Sequence, residues 1–171
     1  MKWVALLRGV NLGARNRLPM AELRTLLEDA GYGSVKTYIA SGNVLLDGPA
    51  ARNKLGSDLE RLIADAFDVT TTVILRKPRD LAATVEAHPF KRTSDTHVAF
   101  LAKRPAKSAV AELDAFASDA VLVGAELYLQ LPRGVHGSRL SNARIESLLG
   151  VAATLRNWRT VVALAELAAD A

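Results

Sequence analysis

No cysteine occurs among the 171 residues, which excludes disulfides, thiol nucleophiles and thiolate-ligated metals and fits a reducing compartment. Long apolar runs are missing too, and nowhere does one approach the roughly 18 residues that a membrane-spanning helix needs. The opening "MKWVALLRGVN" has one short apolar run before Arg8 and no small-residue cleavage site, so it does not read as a secretion signal. The expectation is an unprocessed cytoplasmic protein with no membrane partner. Aromatic residues make up only 5%, too little for an extended base-stacking platform on nucleic acid. The three histidines, His88, His97 and His136, are far apart, and neither H-E-x-x-H nor G-x-S-x-G occurs. No metal and no cofactor are expected, and a triad of Ser138 or Ser141 with His136 and Asp95 has no motif behind it.

Half of the residues are hydrophobic, enough for a sizeable core in a chain of one-domain length. Positive charge is unevenly placed. Residues 1–17 carry Lys2, Arg8, Arg15 and Arg17 without an acid, and residues 133–159 carry five arginines against Glu146 alone. Each segment is +4, which leaves the remainder of this +4 chain at −4. Most of these cations are arginines, whose planar fork suits phosphate or carboxylate. An arginine-rich composition accounts for any single one of them equally well.

Apolar periodicity sets the element order. "WVALLR" is a strand, and "PMAELRTLLEDAG" is a helix opened by Pro19 and stopped by Gly31. "SVKTYIA" and "VLLD" are hairpin arms around "SGN", followed by a helix over "ARNKLGSDLERLIADAF" and a strand over "TTTVILR". A connecting helix around "PRDLAATVEAH" leads to the same order again: "HVAFLAK", "AKSAVAELDAFAS", a hairpin around Gly124, the helix "SNARIESLLG", the extended "AATLR" and a final helix "NWRTVVALAELAAD". The fold class is α+β, with two ferredoxin-like (βαββαβ) subdomains in tandem, 1–77 and 78–171, packed together. The halves share no obvious residues. "HPFKRTSD", His88 to Asp95, reads as an exposed loop between units.

The motifs "LLRGVNLG" with "RNRLPM", "TYIASGNV", "HPF", "LYLQLP", "GSRLSN" and "TLRNWRTV", in that order and spacing, resemble the DUF1697 family of bacterial proteins of unknown function. The resemblance implies an α+β fold of two ferredoxin-like subdomains and brings no established catalytic residues. Ala14 and Ala40 stand where that family commonly has glycine and glutamine, and Arg15 and Arg17 stand where it usually has lysine.

Three constellations are candidates for a site, each with a plain structural reading beside it. In "RGVNLGARNR", Gly9 and Gly13 frame Asn11 as in loops whose N–H groups cradle anions, or they simply close a strand-to-helix turn. In "GSRLSNARI", Ser141 caps a helix and Leu140 with Ile145 forms a staple, while Arg139 and Asn142 lie where an anion is comfortable. In "LRNWRT", Asn157 caps the last helix between Arg156 and Arg159, and Trp158 packs on the body. Candidate ligand-binding residues are Arg8, Asn11, Arg15, Arg17, Arg139, Asn142, Arg156, Asn157 and Arg159, with Arg8, Asn11, Arg15, Arg139, Asn142, Arg156 and Asn157 expected in one cleft. The reading is an anion-binding protein without assignable catalysis, its ligand a phosphate-bearing metabolite or a nucleic-acid backbone. The rival is a small hydrolase or transferase of a phosphorylated substrate, with Arg8, Arg139 and Arg156 as clamps.

Overall fold

A computed structural model describes residues 1–91, 93–117, 119–135 and 138–170. Its elements run β1 (Lys2–Leu7), α1 (Met20–Asp29), β2 (Gly33–Tyr38), β3 (Asn43–Asp47), α2 (Arg52–Phe67), β4 (Val73–Arg76) and α3 (Pro78–Glu86). The second series is β5 (Thr96–Leu101), α4 (Lys107–Phe116), β6 (Ala120–Val123), β7 (Glu126–Gln130), α5 (Asn142–Leu149), β8 (Ala153–Asn157) and α6 (Trp158–Asp170). The strands form two four-stranded antiparallel sheets, ordered β2-β3-β1-β4 and β6-β7-β5-β8. The protein is therefore α+β, and its strand orders are consistent with two tandem ferredoxin-like subdomains. Among the described residues no helix is long and apolar enough to cross a membrane. Contacts divide the chain into two units, one of Met1–Leu81 with the chain end from Leu164, the other Ala82–Ala163.

In the first unit, β1 is the central strand and is buried on both faces, as its unbroken apolar run requires. Trp3, Ala5 and Leu7 share one core with Val44, Leu46, Val73 and Leu75, and Val4 and Leu6 point to the other face, as the two-residue period dictates. Two helices add Leu23 and Leu27 from α1 and Leu55, Leu59 and Ile63 from α2 to that core. Each such side chain contributes about 2 kcal/mol on burial. α1 starts after Pro19, whose missing N–H would have been unsatisfied there, and is followed by Gly31 at φ +89°. In the second unit, Ala99, Leu101, Leu127, Leu129 and Ala153 play the same part against Leu113 of α4 and Ile145 and Leu149 of α5. On its other face Tyr128 donates its hydroxyl to Thr84 O of α3 at 2.7 Å.

The two sheets repeat residues as well as order, in a pattern that is not obvious along the sequence. Val4 pairs with Arg76 and Ala5 with Leu75 in the first sheet; Val98 pairs with Arg156 and Ala99 with Leu155 in the second. Equivalent contacts follow from the shared register. Arg76 Nη1 donates to Leu75 O at 3.0 Å, and Arg156 Nη1 donates to Leu155 O at 2.8 Å. Glu60 of α2 accepts the N–H of Val73 at 2.8 Å, and Glu146 of α5 accepts the N–H of Ala153 at 2.8 Å. Those N–H groups open the last strand of each sheet, where no ladder partner is at hand. The repeat is hard to see in the sequence because Glu60 precedes its strand by 13 residues and Glu146 by 7.

Removing either carboxylate leaves a part-buried N–H unsatisfied. Glu60→Ala and Glu146→Ala are each expected to lower stability by about 2 kcal/mol. Glutamine at the same positions keeps an acceptor and should cost less than half as much in urea melts.

Candidate functional site

Twelve residues separate Leu7 from Met20, whereas five separate Leu101 from Lys107 at the corresponding place in the second unit. The β2–β3 turn likewise has four residues, Ile39 to Gly42, against two, Gly124 and Ala125, between β6 and β7. The fold closes both connections with less chain, so the need for a tight turn does not account for the longer ones. These two extended segments of the first unit lie side by side.

Asn11 joins them. Its Nδ2 donates to Leu18 O at 2.9 Å and to Ala40 O at 2.7 Å, and its Oδ1 accepts from Leu18 N at 2.7 Å. Asn11 N donates to Asn16 O at 2.9 Å, and Asn16 Nδ2 donates to Gly9 O at 3.0 Å. Gly9, Asn11, Gly13 and Asn16 have φ of 70, 53, 60 and 48°, the left-handed region that glycine and asparagine enter at least cost. The composition of the loop is thus dictated by its closure. Asn11 offers no group to a ligand, because its amide is committed to backbone on both sides of the gap. The turn fits underneath only as glycine: a Cβ on Gly42, at φ +84°, would lie 2.5 Å from Val10 Cγ2 and 2.9 Å from Leu7 Cβ. Asn43, buried at the end of the turn, donates to Tyr38 O at 2.9 Å and to Ser41 Oγ at 3.1 Å.

Between the loop and the turn is an open pocket of about 670 Å³. Asn11, Gly13 and Arg17 give it a polar rim, and Leu18, Pro19, Met20, Ile39 and Ala40 give it apolar walls. Arg15 and Arg17 are exposed, and neither side chain has an ion pair or hydrogen bond with another described residue. Leu12 and Ile39 are two of the four large hydrophobic residues exposed among those described, at 68% and 49%. Ile39 also sits at φ +50°, where a β-branched residue is strained. Arg8 is half-buried at the foot of the loop, where its N–H donates to Thr72 O at 3.0 Å and its carbonyl accepts from Thr71 Oγ1 at 2.8 Å.

The remaining candidates belong to the second unit and are not gathered there. Arg139 lines a smaller cavity of about 250 Å³ with Asp119, Gln130 and Ser138. Ser141 Oγ accepts from Arg144 N at 3.2 Å, and Leu140 and Ile145 are both buried, so the cap and staple are formed. Asn142 Nδ2 donates to Ala153 O at 3.0 Å, at the start of β8, and its buried Oδ1 has no hydrogen-bond partner among the described residues. Asn157 ends β8 and accepts from Thr160 N at 2.9 Å as the cap of α6. At about 3.3 Å per residue these two asparagines are separated by about 13 Å of strand.

Arg156 is 6% exposed, with Nη1 donating to Thr154 Oγ1 and Leu155 O, both at 2.8 Å. Burial pushes its pKa down to about 10, which leaves it a cation at neutral pH. That guanidinium is presented to the protein's own oxygens, whereas Arg159 is exposed. His136 of the possible triad lies outside the described residues.

One cluster was not anticipated. His88 Nε2 lies 2.9 Å from Thr96 Oγ1, which also accepts from Gln130 Nε2 at 2.9 Å. Its ring packs on Trp158 at 4.3 Å, Phe90 at 5.8 Å and Tyr128 at 6.3 Å. The segment expected to be an exposed loop is therefore anchored through His88 and Phe90, while Pro89, Lys91, Thr93 and Ser94 are exposed. The signal available was the pair of aromatic motifs, "HPF" and "RNW".

Two substitutions separate closure from presentation. Asn11→Ala loses three hydrogen bonds at a left-handed position and should cost ~3 to 4 kcal/mol, while Asn11→Gly keeps the backbone free and should cost ~1 kcal/mol less. Thermal melts of the two variants measure the difference. Ile39→Asn relieves strain while losing little buried area, and should raise stability by about 1 kcal/mol in the same assay.

A family profile described as "Protein of unknown function (DUF1697)" matches residues 1–128. None of the curated proteins matches the chain. Among solved structures, the conserved bacterial protein SP0830 from Streptococcus pneumoniae is similar at a TM-score of 0.70 and 21% sequence identity, over 98% of each chain. At that identity the likeness bears on the fold alone. The profile takes in the extended loop and its hairpin neighbour, and the chain belongs to the DUF1697 family.

Proposed function

We propose that the chain comprises two ferredoxin-like subdomains, 1–77 and 78–171, and that the first carries a binding site for an anionic, phosphate-bearing ligand. The observation that carries this reading is a pair of exposed arginines, Arg15 and Arg17, whose side chains have no partner among the described residues, in a loop more than twice as long as its counterpart in the second unit and beside an open pocket. Arginine's planar donors suit phosphate oxygens, and the glycine at the rim, Gly13, lets backbone approach them. Binding is favoured over catalysis because no carboxylate, hydroxyl or imidazole among the described residues lines this pocket. A hydrolase would need one of these as nucleophile or base. Arg8, half-buried at the base, supports the loop; Arg139, Asn142, Arg156, Asn157 and Arg159 are left to the second subdomain, where their capping and internal bonds account for most of them.

The test is titration with inorganic phosphate and with a short single-stranded oligonucleotide, following amide shifts by NMR. Shifts should concentrate on residues 12–17, and an Arg15→Ala, Arg17→Ala double variant should abolish them with the fold intact. If the oligonucleotide binds through these two arginines, log K should fall against log salt with a slope of roughly −1.4 for single strands. Shifts confined to the second subdomain, or none at low salt, would sink the assignment.

A further inference from the structure

An anion accounts for the rim of the pocket but not for its walls. Its volume, about 670 Å³, lies within the 300 to 1,000 Å³ usual for small-molecule sites. A bare phosphate would leave Pro19, Met20 and Ile39 facing water. Those walls come from two separate stretches of chain, the start of α1 and the β2–β3 turn, bracketed by one asparagine that bonds to Leu18 and Ala40. Two walls fixed at a common base form a slot, and a slot takes a flat body with less loss of freedom than a flexible one.

Ile39 is half-exposed in a backbone conformation that opposes a β-branched residue. Its apolar surface at the mouth of the slot is what a ligand ring would cover. Arg17 lines the pocket together with the apolar Ile39 and Ala40, and Arg15 lies in the same loop as Arg17.

Resting on the anion-site reading above, we infer that the ligand is a phosphate monoester of a planar ring system, of the size of a nucleoside monophosphate. The ring lies between Pro19 and Met20 on one side and Ile39 on the other, and the phosphate meets Arg17, with Arg15 adding a second positive charge. Among the described residues no side-chain donor or acceptor apart from Asn11 and Arg17 lines the slot, and the Asn11 amide is already bonded. Ring edges are therefore read weakly, and purine and pyrimidine monophosphates should differ by less than tenfold.

The test titrates the full chain with AMP, adenosine, inorganic phosphate and octyl phosphate by calorimetry and NMR. AMP should bind at least tenfold more tightly than either adenosine or phosphate, and more tightly than octyl phosphate. Arg17→Ala should reduce AMP to the affinity of adenosine while leaving adenosine unchanged. Ile39→Asn, expected to melt higher than the parent, should reduce AMP to the affinity of phosphate while leaving phosphate unchanged, so that misfolding cannot explain the loss. If phosphate binds as tightly as AMP, the ring seat is wrong and the anion site survives. If octyl phosphate binds more tightly than AMP, the occupant is an acyl chain and the planar-ring inference is overturned. If adenosine matches AMP, or if nothing binds, the anion-site reading falls together with the inference.

Discussion

Ordering a loop costs backbone freedom of roughly 1 to 2 kcal/mol per residue, and twelve residues between a strand and a helix must recover that from somewhere. Here much of the recovery runs through one amide. Asn11 reaches forward to Leu18 and across to Ala40, so the loop, the first turn of α1 and the hairpin tip are ordered together or not at all. Asparagine suits the position twice over, since it tolerates the left-handed backbone and supplies donor and acceptor from a short side chain. The pocket walls inherit their spacing from this bracket, and the arginines are left to the solvent because closure has no use for them.

The two halves show what the shared scaffold requires and what has been added to it. Both keep a glutamate on the second helix to receive the first N–H of the last strand, and both bury an arginine beside that strand's own carbonyl. These belong to the common scaffold. The first half lengthens the β1–α1 and β2–β3 connections, whereas the second lengthens the stretch from Gln130 to Asn142. Each half therefore carries its additions, and its cavity-lining residues, at a different place on the same framework.

Most of the framework was legible in the sequence. Leu23 and Leu27, or Leu55, Leu59 and Ile63, repeat at helical spacing, and β1 is apolar on both faces, which marks a central strand. Capping by Ser141 and Asn157 was legible because those contacts are local. The repeat in sequence was not, because register aligns Val4 with Val98 and Arg76 with Arg156 across loops of unequal length. The candidate arginines read alike, since arginine in a sequence does not say whether its head meets solvent, as at Arg17, or a carbonyl, as at Arg156. The His88 cluster depended on contacts up to 70 residues away, from His88 to Trp158, which no local spacing encodes.

The close approach of Gly42 to Val10 and Leu7 ties two distant stretches into one unit of variation. A side chain can enter the hairpin tip only if residue 10 gives up volume and the turn changes its hand, so neither position is free to drift alone. Across any set of sequences sharing this fold, bulk at 42 and bulk at 10 should trade against each other, and a hairpin of different length should appear only with a rebuilt loop between 8 and 19.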